Sequence, residues 1–444
     1  PHAYLALHPD ARPFQKPDIA FVDESPTDAL LRFATVTLAD LLAYADFSDG
    51  AHGTKARSRK LIAADRTADI QATMRRVHVA WLNTGGALTV GALRATGLDA
   101  SALQEASIGW YTRGPSVDAR AIEFSPEAIR AAVVDADDPR ARTMGRFFAL
   151  LAEHLEDEAR GPDAAMLAFA PATAKDDAGG EADVIDMAWS RSPALACPVM
   201  LLDGTLSETI ARQFFPQLQD VTRVRIDTPN CHVVQVVESG ASMGAMGASD
   251  TLSPKDQKTA AGKRRKVLDL AEAVSAQVTP DPNGTRATVV AYKRTREDWE
   301  REFADRLDAE QSDMIRKQWT RLEGGIDLAH LGHIRGVDRW RETPAIIIAG
   351  RPLPKVVELE RITRAIFWHS AEPIETLGPG AMLPKEVRAF RLRNGEGRGM
   401  EVSTHPDPRC REVLDQISRA EVEQVAHRLR LVRRTADNPA AVYI

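Results

Sequence analysis

Cysteine is scarce: Cys197, Cys231 and Cys410 are the only three, they lie far apart, and none forms a CxxC pair. Such spacing builds neither a zinc ribbon nor a disulfide framework, so reduced, buried thiols are expected. Long apolar runs are missing too. None reaches the roughly 18 residues a membrane span needs, and the opening PHAYLALHPDARP lacks a charged stretch followed by an apolar one. A soluble, cytoplasmic chain with no membrane partner is therefore expected. No internal repeat is present. The sequon Asn283-Gly284-Thr285 falls in DPNG ahead of a β-rich run, which is the composition of a tight turn.

What is present is the balance of a globular protein: 444 residues, 44% hydrophobic and 27% charged, enough for two or three cores. The net charge of -6 is unevenly spread. Residues 1 to 190 hold 19 Lys and Arg against 28 Asp and Glu, and the remainder holds 38 against 35. A phosphate-contacting surface is thus sought first in the C-terminal part.

Along the chain, DIAFVDES (18 to 25) reads as a short apolar strand ending in two carboxylates, with Pro26 stopping its continuation. From about 28 to 168 several segments carry apolar residues at helical spacing: DALLRFATVTLADLLAYA, ADIQATMRRVHVAWL, SPEAIRAAVVDA and ARTMGRFFALLAEHLEDEA. The loop AKDDAGGEAD precedes a strand in CPVMLLDGT, and VTRVRID and HVVQVVES read as further β-rich runs. RATVVAYK, a helix near 295 to 322, IDLAHL, AIIIAG, a helix near 354 to 368, FRLRN, a helix near 409 to 427 and AAVYI then alternate. That alternation predicts a mostly parallel sheet covered by helices on both faces. Trp81, Trp110 and Trp189 are either base-stacking residues or core residues. The KRRK run at 263 to 266 is either a backbone contact for nucleic acid or a solvated helix start.

Asp23 and Glu24, at the carboxyl end of an apolar strand, suit an NTPase in which one carboxylate holds the water shell of Mg2+ and the other polarises the attacking water. Four segments in order then resemble superfamily 2 DNA helicases of the repair-type branch, in which an arch-like helical domain follows the Asp-Glu motif. LLDGTL (201 to 206) stands where the family has a Ser-Ala-Thr triplet, with Asp203, Gly204 and Thr205 in its place. RATVVAYK, ending in Lys293, resembles the fourth motif. RGVDRWRETPAIIIAGRPLP resembles the fifth, with Arg335, Gly336 and Asp338 on its loop. EVEQVAHRLRLVRR resembles the sixth, with Gln424, Arg428 and Arg430, although His427 takes the usual glycine position and the second arginine comes one residue early.

The resemblance implies an α/β protein of RecA-like P-loop NTPase lobes. Residues 1 to 28 and 184 to 216 would form part of the first lobe, 29 to 183 a helical arch-like insertion, and 217 to 444 a complete second lobe. It implies ATP hydrolysis with Mg2+ held by Asp23, water activation by Glu24, and an arginine finger at Arg428 supported by Gln424 and Arg430. Gly336 and Asp338 would sense the nucleotide, while Thr205, Lys293 and Arg335 would contact single-stranded DNA or a forked duplex. The last hundred residues also resemble helicase-like proteins of phages and integrated plasmids, which implies DNA replication or mobile-element partners. No GxxxxGK[ST] occurs, and the chain enters a strand pattern almost from Pro1, so a fragment inactive alone, with its phosphate loop upstream, is expected. The alternative is a non-catalytic DNA-binding or assembly module that keeps the helicase fold.

Overall fold

A computed structural model describes residues 20–23, 27–42, 54–111, 139–157, 160–175, 181–193, 197–224, 226–236, 241–247, 252–308, 311, 318–334, 337–378, 380–392 and 394–444. The chain divides into two compact units, one of Pro1–Leu201, Gln213–Pro216 and Glu360–Gly378, the other of Leu202–Arg212, Gln217–Leu359 and Pro379–Ile444.

In the first unit, β1 (Ala20–Asp23) lies beside β5 (Val199–Leu202), and Ala20 N–H donates to the Pro198 carbonyl at 2.9 Å. After β1 come a short helical turn (Thr27–Leu30) and, farther on, the longer helices α1 (Thr54–Asn83), α2 (Val90–Ala95), α3 (Ala100–Tyr111) and α4 (Pro139–Glu156). Their apolar faces meet around Met74, Val77, Trp110, Phe147, Phe148 and Leu151. Trp81, Trp110 and Trp189 all belong to this core, so the base-stacking alternative falls. SPEAIRAAVVDA lies outside the described residues.

The helical reading of 28 to 168 needs correction at its start, and the loop reading near 183 at its end. LRFATVT is strand β2 (Leu31–Thr37), paired antiparallel with β4 (Glu181–Ser190), which in turn pairs with β3 (Phe169–Lys175). The physical reason is local. Val36 and the threonines of this stretch are β-branched and stiff about χ1, so they lose in a helix and gain beside a partner strand. β4 is nearly continuously buried over Val184–Ser190, and such a run shows no period-two alternation to read. The acid of that buried run, Asp186, is held by Arg361 (3.0 Å) and by Arg364, whose side chain is largely buried beside it.

The second unit holds a six-stranded sheet in the order β6 (Cys231–Val234), β13 (Ala440–Tyr443), β10 (Ala345–Ile348), β7 (Ala287–Ala291), β9 (Ile326–His330), β8 (Thr320–Leu322). All pairings are parallel except that of β8 with β9. Odd positions of β7 and β10 (Ala287, Val289, Ala345, Ile347) face α6 (Pro254–Ser275) and α7 (Lys293–Glu302) through Leu268, Ala271 and Trp299. Even positions (Val290, Ile346, Ile348) face Val425 and Leu429 at the end of α9 (Pro408–His427). Burial on both sides is why these strands read as continuous apolar runs.

Other expectations shift. VTRVRID forms no strand among its described residues; Val224 and Ile226 are exposed and no neighbouring strand is offered to them. The helix placed near 295 to 322 stops at Glu302, and β8 follows. Of FRLRN only Phe390 and Arg391 belong to a strand, β11 (Lys385–Arg391), which forms an antiparallel hairpin with β12 (Gly397–Ser403). KRRK lies inside α6 rather than at its start: Arg264 is buried and pairs with Asp298 (3.2 Å) and Glu302, while Arg265 and Lys266 are exposed. Among the described residues no helix is long and apolar enough to cross a membrane.

Candidate functional site

Most of the described residues singled out by the sequence converge on the C-terminal half of α9. The helix starts cleanly: Asp407 caps it by accepting from the backbone N–H groups of Arg409 (2.8 Å) and Cys410, and Pro408 occupies the first turn, where its missing N–H costs nothing. Val425 and Leu429, both fully buried, hold its far end against the sheet. Glu412, Gln416, Gln424 and Arg428 recur at multiples of four and so form a stripe that winds round the helix, with Glu412–Gln416 and Gln424–Arg428 as direct neighbours.

The segment carrying Asp203, Gly204 and Thr205 is tied to that stripe. Gln424 Nε2 donates to Thr205 Oγ1 at 3.2 Å, and the Thr205 hydroxyl donates to Asp203 Oδ1 at 2.9 Å. Asp203 Oδ1 also accepts the Thr205 N–H (2.8 Å), the Asx-turn that shapes the loop. Gln416 Oε1 accepts the Ser207 N–H at 2.7 Å, and the Ser207 hydroxyl donates to Glu412. Two acceptors of this relay, Asp203 Oδ2 and Gln424 Oε1, are buried with no hydrogen-bond partner. Buried oxygens without donors are costly and rare, so the relay has capacity left for a donor or a cation.

A second meeting lies just beyond the helix. Arg430 Nε and Nη2 both donate to Asp338 Oδ1, at 2.9 and 2.6 Å. That hydrogen bond, reinforced by the charges of Arg430, Arg341 and Arg433, holds the Asp338 carboxyl below its ordinary range. Arg430 adopts φ 50°, the only left-handed non-glycine residue described, which turns the chain from α9 into the short 3-10 turn Leu431–Arg433. Its guanidinium is therefore engaged, and Asp338 is an arginine anchor here. Arg428 is the C-cap of α9, one turn after Gln424 on the same stripe.

Of the remaining expected site residues, Asp23 ends β1, while its side chain, Glu24, Arg335 and Gly336 lie outside the described residues. Lys293 opens α7, is largely exposed, has Glu297 at 3.9 Å, and takes part in neither pairing above. Among the described residues no group of three or more His, Cys, Asp and Glu could hold a metal ion. Two shallow depressions of the first unit, one lined by Thr35, Asp40 and Arg140 and the other by Arg75, Arg76 and Asn83, contain none of the expected residues. Sequence reasoning missed Glu412 and Gln416. Their only signal was the four-residue spacing with Gln424 and Arg428, and polar residues at that spacing ordinarily face water. No protein-family model matches the chain, and no match is found among curated proteins or solved structures.

Proposed function

We propose that the chain is the motor part of a nucleic-acid-dependent ATPase of the helicase type, acting on single-stranded DNA or a forked duplex. The observation that supports it is the pairing of three segments distant in sequence: Thr205 with Gln424, and Asp338 with Arg430. A chance run of basic residues on an amphipathic helix gives no reason for two such pairings at the same helix end, through Gln424 and Arg430. In this reading Asp23 and Glu24 serve Mg2+ and the attacking water. Arg428 stabilises charge on the transferred γ-phosphoryl group, and Gln424 carries the state of the Asp203–Thr205 loop to the same turn of helix. Arg430 is a positioning residue rather than the finger, since its guanidinium is taken by Asp338.

The test is DNA-stimulated ATP hydrolysis by the full-length protein and by its Arg428→Ala and Glu24→Gln variants. Loss of stimulated turnover by about a thousandfold in Arg428→Ala is expected, with single-stranded DNA binding retained. Undiminished turnover in both variants overturns the catalytic assignment. A second reading, a module that binds DNA on the same fold without turnover, is favoured by the engaged Arg430 and by Asp203-Gly204-Thr205 standing where the family has Ser-Ala-Thr. It predicts DNA binding with no ATP hydrolysis in the unaltered protein.

A further inference from the structure

The strand order of the second unit reverses at β7: the chain steps to β9 on one side and afterwards to β10 on the other. In doubly wound sheets the crevice over the carboxyl ends of such strands is where ligands sit. α7 begins there, directly after β7. Its N-cap Tyr292 makes no side-chain cap and instead donates its hydroxyl to the Arg351 carbonyl at 2.8 Å. Beside it Gly350 has φ +113°, and a Cβ there would stand 2.6 Å from the Tyr292 ring and 2.8 Å from the Ala241 carbonyl oxygen. Only backbone fits this wall of the crevice.

An uncapped helix start is not a site by itself. The second observation is His330, the last residue of β9 and the register partner of Ala291. By alternation with Leu328 its side chain lies on the face that α7 covers. It is only 9% exposed, and its Nδ1 has no hydrogen-bond partner. The His333 ring stacks on it with centroids 5.0 Å apart and planes 8° from parallel. Burial, then the neighbouring Arg296, His333 and Lys293, oppose its protonation and bring its pKa down to about 4. Two carboxylates stand close by: Glu421 accepts the Gly332 N–H at 2.7 Å between the two histidines, and Glu297 lies 3.9 Å from Lys293. Thr295, fully buried in the first turn of α7, adds a hydroxyl without a partner.

We propose that this edge binds a phosphate monoester dianion, seated against the first turn of α7 and held by Lys293, His330 and His333. A helix start and a lysine each gain from a second negative charge, and a neutral imidazole can donate an N–H to it. His330 lies inside the edge while Lys293 and His333 are at its surface, so the group must enter end-on. A terminal phosphate with three free oxygens does this, and a diester flanked by two sugars does not. The site is separate from the Gln424–Thr205 relay and does not rest on the ATPase reading. The same chemistry is offered by the 5′-phosphate of a DNA strand and by a free nucleotide or inorganic phosphate.

The test is a binding titration of the whole chain with a short single-stranded oligonucleotide carrying either a 5′-phosphate or a 5′-hydroxyl, and with AMP and inorganic phosphate. If the source is a strand end, the 5′-phosphate tightens binding by about tenfold. If it is a free ligand, AMP and phosphate bind while the two oligonucleotides do not differ. In either case Lys293→Ala and His333→Ala, both exposed and so free of folding damage, abolish the phosphate-dependent part, and His330→Gln weakens it. The proposal is overturned if no phosphate-bearing ligand is preferred over its hydroxyl counterpart, or if the preference survives both exposed variants.

Discussion

Arg430 shows how a single residue can be held against its own preference. A non-glycine residue in the left-handed region costs on the order of 1 kcal/mol, and Arg430 sits there at φ 50° while bonded to Asp338. The ion pair is weak support, since the two side chains are 45% and 51% exposed and solvent screens such pairs. Backbone conformation therefore decides the outcome of substitution. Arg430→Gly, which loses the pair and relieves the strain, should be more stable than Arg430→Ala, which loses the pair and keeps it, by about 1 kcal/mol. Urea unfolding of the two variants measures this directly, and an alanine variant as stable as the glycine variant would refute it.

At the scale of elements, legibility followed burial. β7, β9, β10 and β13 announced themselves because their faces are covered: AIII is wholly apolar and ATVVA is apolar except for Thr288. The alternation of strand and helix places α9 near 409 to 427, and the structure extends it by one residue to Pro408, behind its Asp407 cap. β2 was hidden because LRFATVT carries apolar residues at intervals that serve a helix equally well, and only its partner β4, far along the chain, settles the matter. The pairings of Thr205 with Gln424 and of Asp338 with Arg430 were not legible at all, since a hydrogen bond between distant residues leaves no periodic trace. What keeps those residues in place is the seating of α9 by two side chains. Leu429 is fully buried among Val290, Ile346 and Ile348. Leu429→Ala should cost about 2–5 kcal/mol and, by loosening the last turn, also weaken the contacts of Gln424 and Arg430. Thermal unfolding gives the first effect. A loss well under 1 kcal/mol would mean that the end of α9 is not anchored as described.

For the whole molecule, acid is the condition that acts on both units at once, because each buries a neutral histidine. In the first unit His154 is only 1% exposed, accepts a hydrogen bond from Arg160 Nη1 on Nδ1 at 2.7 Å, and has its pKa brought down to about 3 by burial, then by Arg160 and His369. In the second, His330 is brought down to about 4. Unfolded, both rings take a proton near about 6.5. Between that value and the folded one the unfolded chain binds more protons, so the stability these groups contribute is complete above about pH 6.5 and is lost as the pH falls toward about 4 for His330 and about 3 for His154. The effect needs no change in any contact surface, only the cost of charging a ring that sits beside arginine. Thermal unfolding followed from about pH 7 down to about pH 4 should therefore show a steep acid limb in the unaltered chain. His154→Gln and His330→Gln, which cannot titrate, should each flatten it by close to one proton. An acid limb of the same slope in all three proteins would show that these imidazoles are already protonated in the folded state, and the crevice at the end of β9 would then have to be redrawn.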